Sequence, residues 1–330
     1  MVDRKSIGNK TLISIVVPVY YNAESLKELY TRLCKLPDFD KSIELEIVFV
    51  DDGSGDNSFD IIRDIALQDN RVAGIKFSRN FGSFVACFAG LSHCAGDCAV
   101  IISADLQDPP ELIGLMHKKW QQGNKVVIAV RDGRREGFLT IFFAKIFYRV
   151  FRLLVTKSMP KEGFDFVLID RHVIDILTSM QEKNTTIMGL ILWMGFKRAE
   201  VTYTRMERKK GRSRWTLLKK INYFIDSIMA FSQVPIRAFT IIGIFSIGFS
   251  IAGIFYIILA YMVGWLKGIP GWPSLMIINL FMFGMLFSGL GILGEYVWRN
   301  LEETRKRPVF IIDAHHRSIY SKHNEGAGPK

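Results

Sequence analysis

Cysteine is scarce: Cys34, Cys87, Cys94 and Cys98 are the only four in 330 residues. Cys94 and Cys98 lie one helical turn apart, but no further Cys or His completes a zinc-ligand spacing. The pattern excludes a disulfide-stapled scaffold and fits small, half-buried thiols in a reducing compartment. A secretory leader is also missing. Met1 to Lys10 is polar, and the apolar run Ile13–Val19 is too short for a signal core, so the N-terminus is expected in the cytoplasm. Internal repeats and low-complexity tracts are absent. The most telling absence is of charge, which vanishes from Ala238–Leu266 and again from Gly268–Gly294.

Each uncharged stretch exceeds the ~20 residues that carry a helix across ~30 Å of hydrocarbon. Only Lys267 separates them, beside Gly268, Pro270, Gly271 and Pro273, which predicts a turn and hence a two-helix hairpin. Cations flank the pair: Lys209, Lys210, Arg212, Arg214, Lys219, Lys220 and Arg237 before it, and Arg299, Arg305, Lys306 and Arg307 after it. The positive-inside rule then puts both termini in the cytoplasm. Composition agrees with a globular part plus a small membrane part: 49% of residues are hydrophobic and mean hydropathy is +0.19. The net charge of +11 would suit nucleic acid, anionic lipid or a polyphosphate. Its clustering beside the apolar spans favours a lipid surface and argues against nucleic acid. Gly284, Ser288, Gly291 and Gly294 offer a small-residue face for close helix approach, and ordinary membrane glycine usage gives the same pattern.

Upstream the pattern alternates. Strands are predicted at Ile13–Val19, Glu46–Val50, Val72–Phe77, Ala99–Ser103 and Lys125–Val130. Helices are predicted at Ala23–Leu36, Asp56–Leu67, Phe81–Ser92 and Pro110–Gln122. Such alternation implies right-handed crossovers and a mostly parallel α/β sheet, with ligands beyond the carboxyl ends of the strands. Those ends carry Pro18–Tyr21, Asp51–Ser54 and Ser103–Asp108. Phe138–Leu154 reads as a basic amphipathic helix, either at a membrane surface or on a core, and Trp215–Phe231 is a second candidate. The stretch from His315 to Lys330 reads as a loose polar tail.

Several residues could carry chemistry. A carboxylate in Asp51–Asp52–Gly53–Ser54 can accept from a ribose or a base N–H, although an ordinary strand-to-helix turn uses the same residues. Asp105 and the amide oxygen of Gln107 can converge on a hard divalent cation; a capping cluster ahead of Pro109–Pro110 is the plainer reading. Asp165, between apolar segments in Gly163–Phe164–Asp165–Phe166, is expected to be partly buried and therefore a site candidate. The run from Arg205 to Trp215 suits anionic headgroups generally or a phosphate specifically.

Taken in order, these pieces resemble glycosyltransferase family 2, and within it the polyprenyl-phosphate glycosyltransferases. The matching segments are Ser14–Tyr20, Val50–Ser54, Ser78–Gly82, Ala104–Glu111, Gly163–Phe166, Gly211–Trp215 and Gly294–Tyr296 through Arg307–Pro308, and they cover nearly the whole chain. The resemblance implies a GT-A type nucleotide-sugar-binding domain. It implies nucleotide contacts from Pro18, Tyr20 and Asp52, with Asn22, Ser103 and Asp105 lining the same donor site. It implies Mg²⁺ or Mn²⁺ on Asp105 and Gln107, and Asp165 as the catalytic carboxylate. It places Arg131, Arg205, Arg208, Ser213 and Arg214 near a lipid phosphate or the diphosphate. Three departures touch the donor site. Ser103 replaces a frequent Asp, Asn22 stands where a carboxylate is usual, and Asn184–Met188 lacks a frequent Arg.

The implied reaction is an inverting, in-line transfer of one sugar from a UDP- or GDP-sugar to undecaprenyl or dolichyl phosphate. The implied setting is the cytoplasmic face of a bilayer, with a bacterial inner membrane the natural one. A lipid phosphate monoester is already largely anionic near neutral pH, its second pKa being about 6, so a strong base is not required. The expected organisation is a catalytic domain over 1–210, a juxtamembrane segment over 211–235, two spans over 236–298 and a cytoplasmic tail over 299–330. A homo-oligomer is left open. Two other readings stay open as well. A processive polysaccharide synthase of the same superfamily would need Gln where Gly211 stands ahead of Arg214–Trp215, and a larger channel. A non-catalytic nucleotide-sugar-binding partner has Ser103 as its support.

Overall fold

The computed structural model describes residues 10–132, 149, 152, 159–160, 163–180, 185–206, 228–264 and 271–320. The chain divides into two compact units, Met1–Ser227 with Pro308–Lys330, and Ile228–Arg307.

The first unit is an α/β domain. In chain order it runs β1 (Thr11–Val19), α1 (Ala23–Cys34), α2 (Leu36–Phe39), β2 (Ile43–Asp51), α3 (Ser58–Gln68), β3 (Val72–Phe77), α4 (Ser83–His93) and β4 (Cys98–Ile101). It continues with a 3₁₀ turn at Pro110–Leu112, α5 (Ile113–Gln121), β5 (Val126–Arg131), β6 (Val167–Asp170), α6 (Arg171–Ser179), α7 (Ile187–Trp193), β7 (Arg198–Tyr203) and finally β8 (Ile312–His316). The described strands form one sheet in the order β7-β5-β6-β4-β1-β2-β3-β8. β1 pairs in parallel with β2 and β4, β2 with β3, and β5 with β7. β6 runs antiparallel to both β4 and β5, and β8 antiparallel to β3.

The core follows from strand alternation. Ile13, Ile15, Val17 and Val19 of β1 join Leu45, Ile47 and Phe49 of β2 on one face, where Leu26, Leu29 and Leu33 of α1 cover them at helical spacing. Each buried Leu or Ile contributes roughly 1.5–3 kcal/mol. On the other face α4 lies close against β1, because Gly90 presents no side chain. A Cβ there would fall 3.3 Å from Val50 Cγ2 and closer still to Val16.

Three strands escape the sequence pattern. β6 and β7 are short, and β6 is antiparallel, which strand-helix alternation does not announce. β8 replaces the expected loose tail at its start. Val309–Ile312 is a brief apolar run, and the chain from Ile312 to His316 lies along the open edge of β3. Edge strands need such cover.

The second unit holds α8 (Val234–Met262) and α9 (Trp272–Thr304). At 1.5 Å per residue these 29- and 33-residue helices reach ~44 and ~50 Å, enough to cross a hydrocarbon layer. Their apolar windows are not buried within the protein, and Phe249 is 83% exposed. A surface this apolar calls for a non-aqueous neighbour. Most of Phe138–Leu154 and of Trp215–Phe231 lies outside the described residues, as do Asn184, Arg208, Ser213 and Arg214.

Candidate active site

One edge of the α/β sheet collects the polar residues. β1, β2, β4, β5 and β7 all end there, since β6 is antiparallel to both β4 and β5 and so leaves those two parallel to each other. The order of strands reverses at β1, whose neighbours are β2 and β4, and the crevice at such a switch point is where open α/β sheets bind ligands. Tyr20–Asn22 and Ile102–Asp108 flank it. The antiparallel β6 begins at the same edge, which is how Asp165, two residues before it, reaches the site.

The β1 side is a tightly bonded turn. Tyr21 has a left-handed φ of 57°. Its N–H donates to Ser54 Oγ at 3.0 Å, and Ser54 Oγ donates to Asp51 Oδ1. Asn22 Oδ1 accepts from the Tyr20 N–H at 3.1 Å, so the amide that replaces a carboxylate braces its own turn. Pro18, Tyr20 and Ser103 are half-buried around this turn. Asp51 is fully buried, and burial raises its carboxyl above the usual carboxylate range.

Asp52 faces the loop after β3. Its Oδ2 accepts from Asn80 Nδ2 at 2.8 Å and from the Gly82 N–H at 2.9 Å, and its Oδ1 accepts from the Phe81 N–H at 2.6 Å. With 3% of its surface exposed, Asp52 serves first as the brace of Asn80–Gly82. Gly53 permits this approach. Its φ is +66°, and a Cβ would lie 2.7 Å from the Asn80 nitrogen. The sequence motifs Val50–Ser54 and Ser78–Gly82 are therefore two halves of one structure, a link that spacing alone does not reveal.

On the β4 side, Asp105 is 5% exposed and its Oδ1 accepts from the Gln107 N–H at 3.2 Å. Leu106 takes a φ of +61° between them. Gln107 Nε2 donates to Met206 O at 3.3 Å, which leaves Oε1 as the amide atom able to face a cation. Among the described residues there is no cluster of three or more His, Cys, Asp or Glu that could cage a metal. One carboxylate and one amide oxygen are a sparse, hard donor set. They fit Mg²⁺ or Mn²⁺ taking its other ligands from phosphate oxygens and water.

Asp165 is 59% exposed on its side chain, more open than its apolar neighbours suggest. The chain turns at Gly163, with φ +67°, and both flanking phenylalanines point inward, Phe164 at 3% and Phe166 at 0% exposure. Asp165 Oδ2 accepts from Arg131 Nη2. Arg131, the last residue of β5, is thus brought to the Asp165 carboxylate. Its guanidinium stays firmly protonated beside Asp165, Tyr203 and Asp108, whose fields outweigh burial. Arg205 Nε lies 3.9 Å from Asp108 Oδ1, and that oxygen accepts from Tyr203 Oη. Tyr203 and Asp108 were not singled out by sequence reasoning as site residues; the polar ends of Arg198–Tyr203 and of Ala104–Asp108 were the available signal. Cys87 lies within the field of Asp165 and Asp52, and burial pushes its thiol up to about 12.

Residues 14–177 match the glycosyl transferase family 2. The chain is 40% identical over 305 residues to an uncharacterized glycosyltransferase, YkcC, of Bacillus subtilis (strain 168), covering 91% of this chain and 92% of that protein. It is 37% identical over 308 residues to the SfII prophage-derived bactoprenol glucosyl transferase of Shigella flexneri, covering 92% of this chain and 98% of the relative. Among solved structures, the mannosyltransferase PcManGT from Pyrobaculum calidifontis in complex with GDP-Man and Mn²⁺ aligns with a TM-score of 0.44 and 20% identity, over 62% of this chain and 58% of that one. The chain belongs to glycosyltransferase family 2, and it is a glycosyltransferase whose first unit is an α/β domain.

Proposed function

We propose that this protein transfers a single sugar, with inversion, from a nucleotide-sugar to polyprenyl phosphate at the cytoplasmic face of a membrane. The observation that carries the reading is the delivery of Asp165 by an antiparallel strand to the edge where Asp105, Gln107 and the Tyr20–Asn22 turn already converge. The match to bactoprenol glucosyl transferases runs over nearly the full length of both chains, which supports the lipid acceptor. The cations before Arg237 and after Thr304 support cytoplasmic termini for the hairpin. The proposed organisation keeps 1–210 as the catalytic domain, 211–235 as the juxtamembrane segment and 236–298 as the spans; of the following 299–330, Ile312–His316 joins the catalytic sheet.

In this reading the Tyr20–Asn22 turn, with Pro18 and Ser103 beside it, receives the nucleotide. Asp52 acts through the Asn80–Gly82 loop that it braces. Asp105 and Gln107 would hold Mg²⁺ or Mn²⁺, which supplies charge neutralisation to the departing diphosphate. Asp165, open to solvent, orients the acceptor phosphate or takes its residual proton. Arg131, Arg205, Arg208, Ser213 and Arg214 supply the donors for phosphate oxygens. Alignment and charge compensation, more than proton abstraction, lower the barrier.

The test is sugar transfer from a panel of UDP- and GDP-sugars to polyprenyl phosphate by the full chain in detergent or vesicles, with and without divalent cation. Asp165→Asn is expected to lower kcat by about 10²–10⁴. Full activity in that variant removes Asp165 from the mechanism, and a wild type inert toward every donor sinks the reading.

A further inference from the structure

The acceptor side of the site contains a chain of polar groups in which two members, Tyr203 and Asp108, have no task assigned above. Arg131 ends β5 and Tyr203 ends β7, and the two are Cα partners in the parallel ladder. Arg131 donates to Asp165 through Nη2 and lies beside Tyr203 in the ladder, and the Tyr203 phenol donates to Asp108 Oδ1. Asp108 is completely buried, and Arg205 approaches the same oxygen. The chain thus reads Asp165, Arg131, Tyr203, Asp108, Arg205, with two carboxylates, two guanidiniums and one phenol between them.

Two further bonds lock this chain to the loop of Asp105. The Met206 N–H donates to Gln107 O at 3.0 Å, and Gln107 Nε2 donates back to Met206 O at 3.3 Å. The segment after β7 and the loop after β4 are therefore stitched at side chain and backbone alike. A structural reading would end there, with a buried knot between two loops. The unmet valences argue for more. Among the described residues, Asp108 Oδ2, Arg131 Nε and Arg205 Nε have no hydrogen-bond partner, though Arg131 is only 9% exposed on its side chain. Buried donors left without an acceptor are costly, and guanidinium N–H groups match phosphate oxygens in geometry and charge. The two carboxylates balance the two guanidiniums while no ligand is bound. The pairing matters most at the buried members, Asp108 and Arg131, where an uncompensated charge would be costly.

We propose that Tyr203 and Asp108 are positioning residues for acceptor binding: they hold Arg131 and Arg205 as a preformed pair that takes the phosphate oxygens of the lipid. Tyr203 is the central member, because it neighbours Arg131 in the ladder and its hydroxyl donates to the carboxylate that faces Arg205. The inference rests on the proposed transfer to polyprenyl phosphate. The same cations could in principle serve the diphosphate of the donor, and the kinetics of the two substrates separate these sources.

The experiment measures steady-state transfer by the full chain with each substrate varied in turn, for wild type, Tyr203→Phe, Asp108→Asn and the double variant. Phenylalanine keeps the ring that packs edge-on against Phe166 at 6.1 Å, so the fold is retained and only the hydroxyl is lost. The KM for polyprenyl phosphate is expected to rise about tenfold in Tyr203→Phe, with the KM for the nucleotide-sugar within about twofold of wild type. The double variant is expected to be no worse than the weaker single one, since both break the same chain. An unchanged acceptor KM, a rise confined to the donor KM, or additive losses overturn the proposal. Loss of all transfer in the wild type would instead fault the underlying functional reading. If Tyr203→Phe unfolds, Asp108→Asn alone decides by the same split of acceptor against donor KM.

Discussion

The two flanks of the site solve opposite problems. On the nucleotide flank, carboxylates are consumed by the protein itself. Asp52 accepts from Asn80, Phe81 and Gly82, and Asp51 accepts from Ser54. On the Asp165 flank, charges are paired with each other, and Asp108, Arg131 and Arg205 each retain a buried atom without a partner among the described residues. The nucleotide flank leaves one such atom, Asp51 Oδ2, against three on the Asp165 flank, so the first mainly fixes a shape and the second is poised for a ligand of matching charge. The acidic motif that looks most like a ligand grip in the sequence is therefore a scaffold first. The ligand-ready chemistry gathers around arginines.

That contrast can be broken most severely at Gly53. Gly53→Ala places a Cβ against the Arg79 and Asn80 backbone at a positive φ. The expected cost is about 2–4 kcal/mol, seen as a lower Tm and as lost donor binding together. If the variant keeps its Tm, the two motifs are not the single rigid structure described above.

Asp52→Asn sharpens the contrast with a smaller effect. One oxygen becomes an NH₂ that faces donors, which costs roughly 1–3 kcal/mol. Because the damage falls on the loop beside the nucleotide, the donor KM is expected to rise severalfold while the acceptor KM holds. Tyr203→Phe should give the mirror image. Matching kinetic signatures for the two variants would erase the distinction between the flanks.

The parallel core was legible because its rules are local. Continuous apolar runs at Ile13–Val19 and Glu46–Val50, helical spacing at Leu26, Leu29 and Leu33, and uncharged length in the hairpin each need only a short window. Strand-end placement brings Asp51–Ser54 and Ser103–Asp108 to one edge from the sequence pattern alone. What stayed hidden is non-local. The bond between Asp52 and Asn80–Gly82 spans about thirty residues, and the Tyr203–Asp108 bond spans 95. β6 carries only four residues, so nothing in the pattern announces its reversed direction. Yet that reversal is what turns Asp165 toward the site.

The smallest expected effect lies at the far edge of the sheet, where β8 covers β3. His315 packs edge-on against His93 at 5.3 Å, and Phe310 stacks on Phe77 at 5.2 Å, which meets Phe81 edge-on at 5.6 Å. Burial, with His93, Arg317 and His316 nearby, lowers His315 to about 4, and burial lowers His93 as well. A histidine whose folded pKa lies below its unfolded value of ~6.5 favours folding while neutral. The contribution is complete above the unfolded pKa and is lost as pH falls from ~6.5 towards 4. Amide exchange in Gly74–Phe77 and Ile312–His316 should therefore quicken across that window, and His315→Phe should flatten the response. Since Phe310 reaches Phe81 through Phe77, any kinetic echo should appear in the donor KM. An acceptor-side echo would mean that β8 steadies the wrong flank for the division drawn here.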